Sequence, residues 1–250
     1  MKPVSANVAP RIIAGSLSAR LADVHHAIVS CERCTRLRSY CRAVAQEKKR
    51  AYRGETYWGR PVPGFGDPKA RMLLVGLAPA AHGANRTGRV FTGDGIGGSG
   101  DFLMSALHRT GFANISTSRH IDDGLTLKDA YIVMAVRCAP PDNKPLPEEI
   151  SRCLDHLDAE VNEITNARVV IALGKIAFDA WLQLLRRRGV RMSPRPQFAH
   201  GSAVRVSDGP SGPHTLLGCY HPSRQNTNTG KLTPVMMAGV FKKARRLIEA

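Results

Sequence analysis

A chain of 250 residues, 43% of them hydrophobic, is long enough for one sizeable core. Thirty-six Lys and Arg against twenty Asp and Glu leave a net charge of +16, which favours a polyanionic partner such as nucleic acid. No apolar run approaches the roughly 20 residues of a membrane span, and Met1 to Ile13 lacks the apolar stretch of a signal peptide. A cytoplasmic, reducing compartment is therefore expected, where six cysteines point to metal or redox chemistry more than to disulfides.

Residues 1–15 read as a loose start and residues 16–250 as one domain. Ser16 to Ser30 carries apolar residues at helical spacing (Leu17, Leu21, Val24, Ile28), closed by Cys31-Glu32-Arg33-Cys34. A basic helical stretch continues through Arg42, Lys48 and Arg53. Thr56 to Pro68 sets Trp58 and Phe65 among prolines and glycines, an irregular segment expected to pack on something. Met72 to Leu77 is a continuous apolar run, as a strand buried on both faces requires. It breaks at Gly76 to Pro79 into a glycine-dense loop that carries His82, Asn85, Arg86, Arg89, Phe91 and Asp94. Long loops in compact domains are usually functional or disordered. A buried strand before this one and an amphipathic helix after it, Asp101 to Arg109, favour function.

Tyr131 to Val136 is the second strand. Pro147-Glu148-Glu149 then opens a helix with the proline and acidic first turn expected there. Ile150, Leu154, Leu157, Val161 and Ile164 follow at spacings of four, three, four and three. Val169 to Leu173 is the third strand, with a helix after it through Phe178, Trp181 and Leu185. Ser193 to Pro213 gives no readable pattern. Thr215 to Cys219 is a short fourth strand and Val235 to Ile248 a final helix. Strands alternating with helices argue an α/β fold, a parallel sheet covered on both faces. Ligands bind such sheets beyond the carboxyl ends of their strands, where the long loop begins.

Four cysteines read as one metal site. Cys31 and Cys34 reach a metal from a single turn, and Cys138 and Cys153, with fourteen residues between them, end a strand and begin a helix. Four thiolates fit a structural zinc or a 4Fe–4S cluster. A thioredoxin-like pair is disfavoured because Cys31 follows a helix rather than a strand. Cys219 reads as core, and Cys41, which could substitute for a ligand, is not counted as one.

Gly218-Cys219-Tyr220-His221-Pro222-Ser223-Arg224-Gln225-Asn226 repeats the pattern of the long loop, with polar groups presented where a strand ends. That position favours His221 as a site residue and His82 less strongly; His25, His26, His108 and His156 read as surface or satisfied histidines. Asn85 and Asp94 are turn formers, one of which positions a water. Phe91 is out of place as core in so polar a loop and reads as a surface for stacking on a base. Gly95-Ile96-Gly97-Gly98-Ser99-Gly100 matches the dinucleotide fingerprint in form only, because seventeen residues separate it from Leu77. Arg186-Arg187-Arg188 and Lys242-Lys243-Ala244-Arg245-Arg246 read as solvated helix faces.

The segment Gly76-Leu77-Ala78-Pro79-Ala80-Ala81-His82-Gly83-Ala84-Asn85-Arg86-Thr87-Gly88-Arg89 closely resembles the first motif of the uracil-DNA glycosylase superfamily, in the form of its fifth family. Glu55 to Pro68, Val136 to Pro145 and His221 to Thr227 agree with it. The resemblance implies a three-layer α/β/α fold with a four-stranded parallel sheet, and a 4Fe–4S cluster on Cys31, Cys34, Cys138 and Cys153. It implies an enzyme that flips uracil and other deaminated bases, including hypoxanthine and xanthine, out of DNA and hydrolyses the N-glycosidic bond. Gly76, Ala78, His82, Phe91 and Met134 would line the base pocket. Phe91 would stack on the base and His221 would stabilise the charge developing on it. Ser223, Arg224, Gln225, Asn226 and Arg86 would meet the DNA, with Arg224 to Asn226 filling the gap left in the duplex.

Ala78 stands where most of the superfamily carries an acidic or amide residue to activate water, which leaves Asn85 and Asp94 as candidates. Met134 stands where relatives in a neighbouring family have an asparagine that reads uracil, and Gly95 to Gly98 extends the first loop. The motifs place no lysine for a lyase step. The expected partner is double-stranded DNA containing deaminated bases, single-stranded DNA being a further possibility, and the expected agent is a monomer at the nucleoid in the cytoplasm. The competing expectation is a nucleic-acid-binding iron–sulfur protein without catalysis, supported by Ala78.

Overall fold

The computed structural model describes residues 18–250; the loose start assigned to residues 1–15, and Leu17 with it, lie outside the described residues. The helices α1 (Ala19–Val29) and α2 (Thr35–Glu47) precede a two-residue strand β1 (Phe65–Gly66) and the first long-range strand β2 (Met72–Gly76). Then come α3 (Ala84–Thr87), α4 (Ser99–Arg109), β3 (Ala130–Met134), α5 (Pro147–Asn162), β4 (Val169–Leu173) and α6 (Lys175–Arg187). The chain closes with β5 (Ala203–Val206), β6 (His214–Cys219), α7 (Arg224–Asn228) and α8 (Pro234–Glu249). No helix among the described residues is long and apolar enough to cross a membrane.

The four apolar runs become β2, β3, β4 and β6, parallel to one another in the order β3-β2-β4-β6. The sheet has six strands rather than the expected four, because β1 and β5 add antiparallel edges to β3 and β6. Neither edge was legible. The first is two residues long, and the second alternates exposed and half-buried positions inside a stretch dominated by proline and glycine.

Period-two alternation sorts the strand residues between two helical layers. Met72, Leu74, Ile132, Met134 and Ile171 pack into the core with α4 and α8, while Leu73, Val75, Tyr131, Val133 and Val170 pack with α5 and α6. Helix starts follow their sequence signals. Ser18 accepts from the Leu21 N–H at 3.1 Å, Glu149 from the Leu146 N–H at 2.8 Å with Pro147 in the first turn, and Thr233 from the Met236 N–H at 3.2 Å. Because β3 lies on one side of β2 and β4 on the other, the connections leaving β2 and β3 diverge. A crevice opens at their carboxyl ends, the usual ligand position in such a sheet.

The segment from Thr56 to Pro68 is ordered, as expected, by what it packs on. Trp58 and Gly59 donate backbone N–H groups to the carbonyls of Arg86 and Asn85, and Val62 to that of Arg137, at 2.8–2.9 Å. Gly64 donates to Glu160 Oε1 at 2.7 Å in a place where a Cβ would strike the Tyr131 ring and the Ile132 carbonyl. Glu160 is wholly buried. Arg137 faces it at 2.5 Å, and His25 Nε2 and the Tyr131 hydroxyl lie 2.8 and 3.1 Å from its other oxygen. Burial alone would raise this carboxyl; Arg137, His25 and the Gly64 N–H hold it down at about 2. Replacing Glu160 by Ala leaves Arg137 buried without its counter-ion, and denaturant unfolding should record a loss of about 3–5 kcal/mol. A change within experimental error would mean that the network contributes nothing.

Candidate active site

Four strand ends bring Gly76, Met134, Gly174 and His221 to one edge of the sheet. Gly76 ends β2 beside Met134 of β3, in direct register with it. A Cβ on Gly76 would lie 2.5 Å from the Met134 sulfur and 3.2 Å from a Phe91 ring carbon, so only glycine lets the three close together. Gly174, just beyond β4, has φ +98° and sits under His221, its own Cβ position 3.4 Å from that of the histidine. His221 follows β6, and its ring centre is 5.9 Å from that of Phe91 with the planes 31° apart. Phe91 is buried and holds φ +49°, an uncommon conformation for a bulky residue. Strain of this kind gathers at functional sites, where the surroundings enforce it. Here the Phe91 carbonyl is packed against Gly100, with no room for a side chain.

Two ionisable groups of this crevice are displaced in opposite directions. Burial pushes His221 down to about 4, so the imidazole is neutral at physiological pH. Burial pushes Asp94 up to about 6, against the Gly100 N–H and the positive charges of Arg224 and Arg86, which favour its ionised form. The Asp94 carboxylate occupies the space a Cβ on Gly83 would need, which fixes glycine there. Arg224 Nη2 donates to the Asp94 carbonyl at 3.4 Å, joining the first loop to the His-Pro-Ser turn.

The remaining expected residues divide between the pocket and its supports. Ser223 caps α7 by accepting from the Asn226 N–H at 3.3 Å, and the Asn226 side-chain amide donates to the His221 carbonyl at 2.8 Å. Asn226 therefore holds His221 in place, while Arg224 and Gln225 stand exposed on α7. Asn85 is buried with its amide turned toward the carbonyls of Cys41 and Ala81, each at 3.3 Å, and its Oδ1 has no partner. His82 points the other way, its Nδ1 3.1 Å from the Tyr57 hydroxyl; burial together with Lys49 and Arg86 lowers its pKa.

Arg86, expected to meet DNA, is inside the loop rather than on an outer face. Its guanidinium donates to the carbonyls of His82 and Gly93 at 2.9 and 2.8 Å, pairs with Glu55, and lies 3.9 Å over the Tyr52 ring. Arg89 is likewise internal, clamping Asp123 at 2.7 Å. Gly83 went unnoticed in the sequence and Gly174 was noted only as the end of the third strand, although they set the positions of Asp94 and His221. The strand–glycine–helix pattern at Gly174 was the available signal for one of them; nothing local announces the other.

The cysteines gather on the far side of Ala78. Cys138 and Cys153 share a small apolar cluster with Leu37, Cys41 and Val136, and Cys34, Ala78 and Ala81 pack against it. All six cysteines are free thiols. Cys153 is pushed up to about 11, chiefly by burial, with Cys34 and Cys31 adding to the rise. Its sulfur accepts the Arg137 N–H at 3.3 Å. Cys138 is raised by its contact with Cys41 and by burial, while buried Arg38, 4.0 Å away through Nη1, works in the opposite sense. Among the described residues, no three His, Cys, Asp or Glu side chains stand close enough to share a single ion. Cys219 is buried core, as expected.

Comparison with known proteins agrees with this arrangement. The family model described as the uracil DNA glycosylase superfamily matches residues 63–245. The type-5 uracil-DNA glycosylase of Thermus thermophilus is 49% identical over 88% of this chain and 94% of its own length. Those of Mycobacterium leprae and Pyrobaculum aerophilum are 45% and 42% identical, over 91% and 89% of this chain and 95% and 91% of theirs. A type-4 uracil-DNA glycosylase of Pyrobaculum aerophilum is 31% identical over 69% of each chain. Matched by that family model over residues 63–245 and by type-5 relatives over 88–91% of its length, the chain belongs to the uracil-DNA glycosylase superfamily, in its type-5 branch.

Proposed function

We propose that this protein is a monofunctional DNA glycosylase of base-excision repair that acts as a monomer on uracil and other deaminated bases, hypoxanthine and xanthine among them. The observation that carries the reading is the Phe91–His221 pair over Gly76, an aromatic face and a neutral imidazole at the carboxyl edge of a parallel sheet. A base inside a duplex cannot reach such a pocket, so the target nucleotide is flipped out of the stack. Phe91 stacks on it, and Met134 closes the floor through contact and not through polar readout, in keeping with tolerance of several bases. His221, kept neutral by burial, donates a hydrogen bond to the base as negative charge develops on it. A neutral donor held in place beforehand stabilises that charge without a proton being taken up. Asn226 positions this histidine through its carbonyl.

Ala78 offers no group to activate water. The Asp94 carboxylate and the unpartnered Asn85 Oδ1 are the candidates. Departure of the base as an anion leaves an oxocarbenium-like sugar, which a weakly activated water can capture, so a single acceptor suffices. Lys175 is exposed and pairs with Asp179 at 2.5 Å, which favours hydrolysis over a lyase step.

Cys31, Cys34, Cys138 and Cys153 fit a 4Fe–4S cluster. They are free thiols brought together from the α1–α2 junction, the end of β3 and the first turns of α5, in an apolar setting bordered by Arg38 and Arg137. Four thiolates in this setting would serve a structural zinc as well as a cluster, and the likeness of the motifs to the type-5 family is what favours the cluster. When bound, the cluster supplies a redox-capable centre. The protein's own residues make it a pin between the N-terminal helices and the sheet.

The reading is tested by single-turnover excision on uracil-containing duplex. Phe91→Ala and His221→Ala should each lower the rate by more than about tenfold, at least about 1.4 kcal/mol of barrier; near-normal rates would remove them from the site. A catalytically silent nucleic-acid-binding protein, the alternative that Ala78 favours, would yield no abasic product even with wild-type enzyme in excess. If the Asp94 carboxylate assists, the rate falls as pH drops through about 6, where that group takes up its proton, and Asp94→Asn flattens the profile. A wild-type profile already flat across that range would exclude the role. Anaerobically purified protein should be brown and contain iron, and Cys153→Ser should lower its iron content; a colourless protein with stoichiometric zinc would refute the cluster.

A further inference from the structure

The turn Gly95-Ile96-Gly97-Gly98, at the far end of the first loop, takes no part in the steps above. Gly98 donates its N–H to the Gly95 carbonyl at 3.0 Å, closing the turn, and Gly97 in third place has φ +66°, as a type II turn requires. Ile96 takes the corner and is 82% exposed. The turn is fixed at both ends. On the incoming side the Asp94 carbonyl accepts from Arg224 and the Asp94 carboxyl takes the Gly100 N–H. On the outgoing side Gly98 lies so close to Asp94 that a Cβ would come within 2.7 Å, and Gly97 donates its N–H to Asp101 Oδ2 at 3.3 Å. Ile96 is thus presented on a tied corner and not on a loose tip.

A lone exposed apolar residue is ordinary, and Leu146, Ile176 and Val235 are also exposed. Ile96 differs from them in position. It shares a loop with Phe91, and its neighbour Gly95 lies against the Arg224 guanidinium, 3.5 Å from where a Cβ would stand. It therefore stands on the same rim as Arg224, the side that the glycosylase reading gives to DNA. Extruding that nucleotide leaves an apolar gap between base pairs, and proteins that open a duplex commonly fill such gaps with Ile, Leu, Phe or Met.

We propose that Ile96 is an apolar wedge that enters the base stack at the lesion, beside Arg224, and holds the duplex open while the base occupies the pocket. The proposal rests on the glycosylase reading and extends it to a residue that touches the DNA away from the reacting bond. Ile96→Ala should slow excision from duplex about tenfold while leaving excision from a single strand unchanged, because only the duplex must be held open. Ile96→Leu should retain the duplex rate.

A second measurement needs no catalysis. With 2-aminopurine beside an abasic-site analogue, wild-type binding should raise the fluorescence as the neighbouring base unstacks, and Ile96→Ala should blunt the rise. Equal loss on duplex and single strand would make Ile96 a wall of the pocket, and unchanged duplex rates and fluorescence would make it a bystander; either result overturns the wedge. Wild-type protein that excises nothing yet gives the Ile96-dependent fluorescence would overturn the glycosylase reading and leave the wedge standing.

Discussion

A side chain at position 76 would fall where the Met134 sulfur and the Phe91 ring meet, and the carboxyl edge of the sheet is built around that missing Cβ. With glycine at the end of β2, the neighbouring strand can bring Met134 level with it and the loop can fold Phe91 back over both. Phe91 accepts a left-handed backbone to do so. His221, resting on Gly174, completes the enclosure from the other half of the sheet. The arrangement follows from packing before any polar group is considered, and it leaves an aromatic face beside the imidazole.

The charges then acquire their values from where the packing puts them. The same loss of water that keeps His221 neutral pushes Asp94 upward, and two groups with opposite displacements in one crevice can serve opposite roles. A few of the basic residues are spent internally. Arg38, Arg86, Arg89 and Arg137 are buried and engaged with carbonyls, carboxylates or a thiol, so they shape the loop and the surroundings of the cysteines. Each is matched by a carboxylate, so the excess of positive charge is left to the other residues. At the end of α6, Arg187 and Arg188 pair with Asp155 and Asp158 of α5.

The parts of the fold legible in the sequence were those governed by local periodicity. The apolar runs at Met72, Tyr131, Val169 and Thr215 gave the parallel strands to within a residue or two, and Pro147 with its acidic neighbours marked the start of α5. The edge strands escaped because β1 is too short to show a period and β5 is four residues inside a stretch dominated by proline and glycine. Phe91 drew notice as an aromatic out of place as core in a polar loop, yet it belongs to the main hydrophobic core; His221 was singled out by its strand-end position, and Gly76 by the break it makes. Residue type alone does not tell on which side of a loop a side chain falls. Arg86, expected at the DNA, turns inward to Gly93 and Glu55, and His82 turns to the buried Tyr57. Asn226 was expected at the DNA, yet its amide supports His221. Contacts between distant segments decide such matters, and no local pattern encodes them.

The central claim is that a flipped base lies between Phe91 and His221. A crystal structure with a duplex carrying an uncleavable deoxyuridine analogue tests it most directly. The account predicts the base stacked on Phe91 with its oxygen toward His221, and the sugar facing Asp94 and Asn85. A uracil still stacked within the duplex, or bound away from the carboxyl edge of β2, would contradict it.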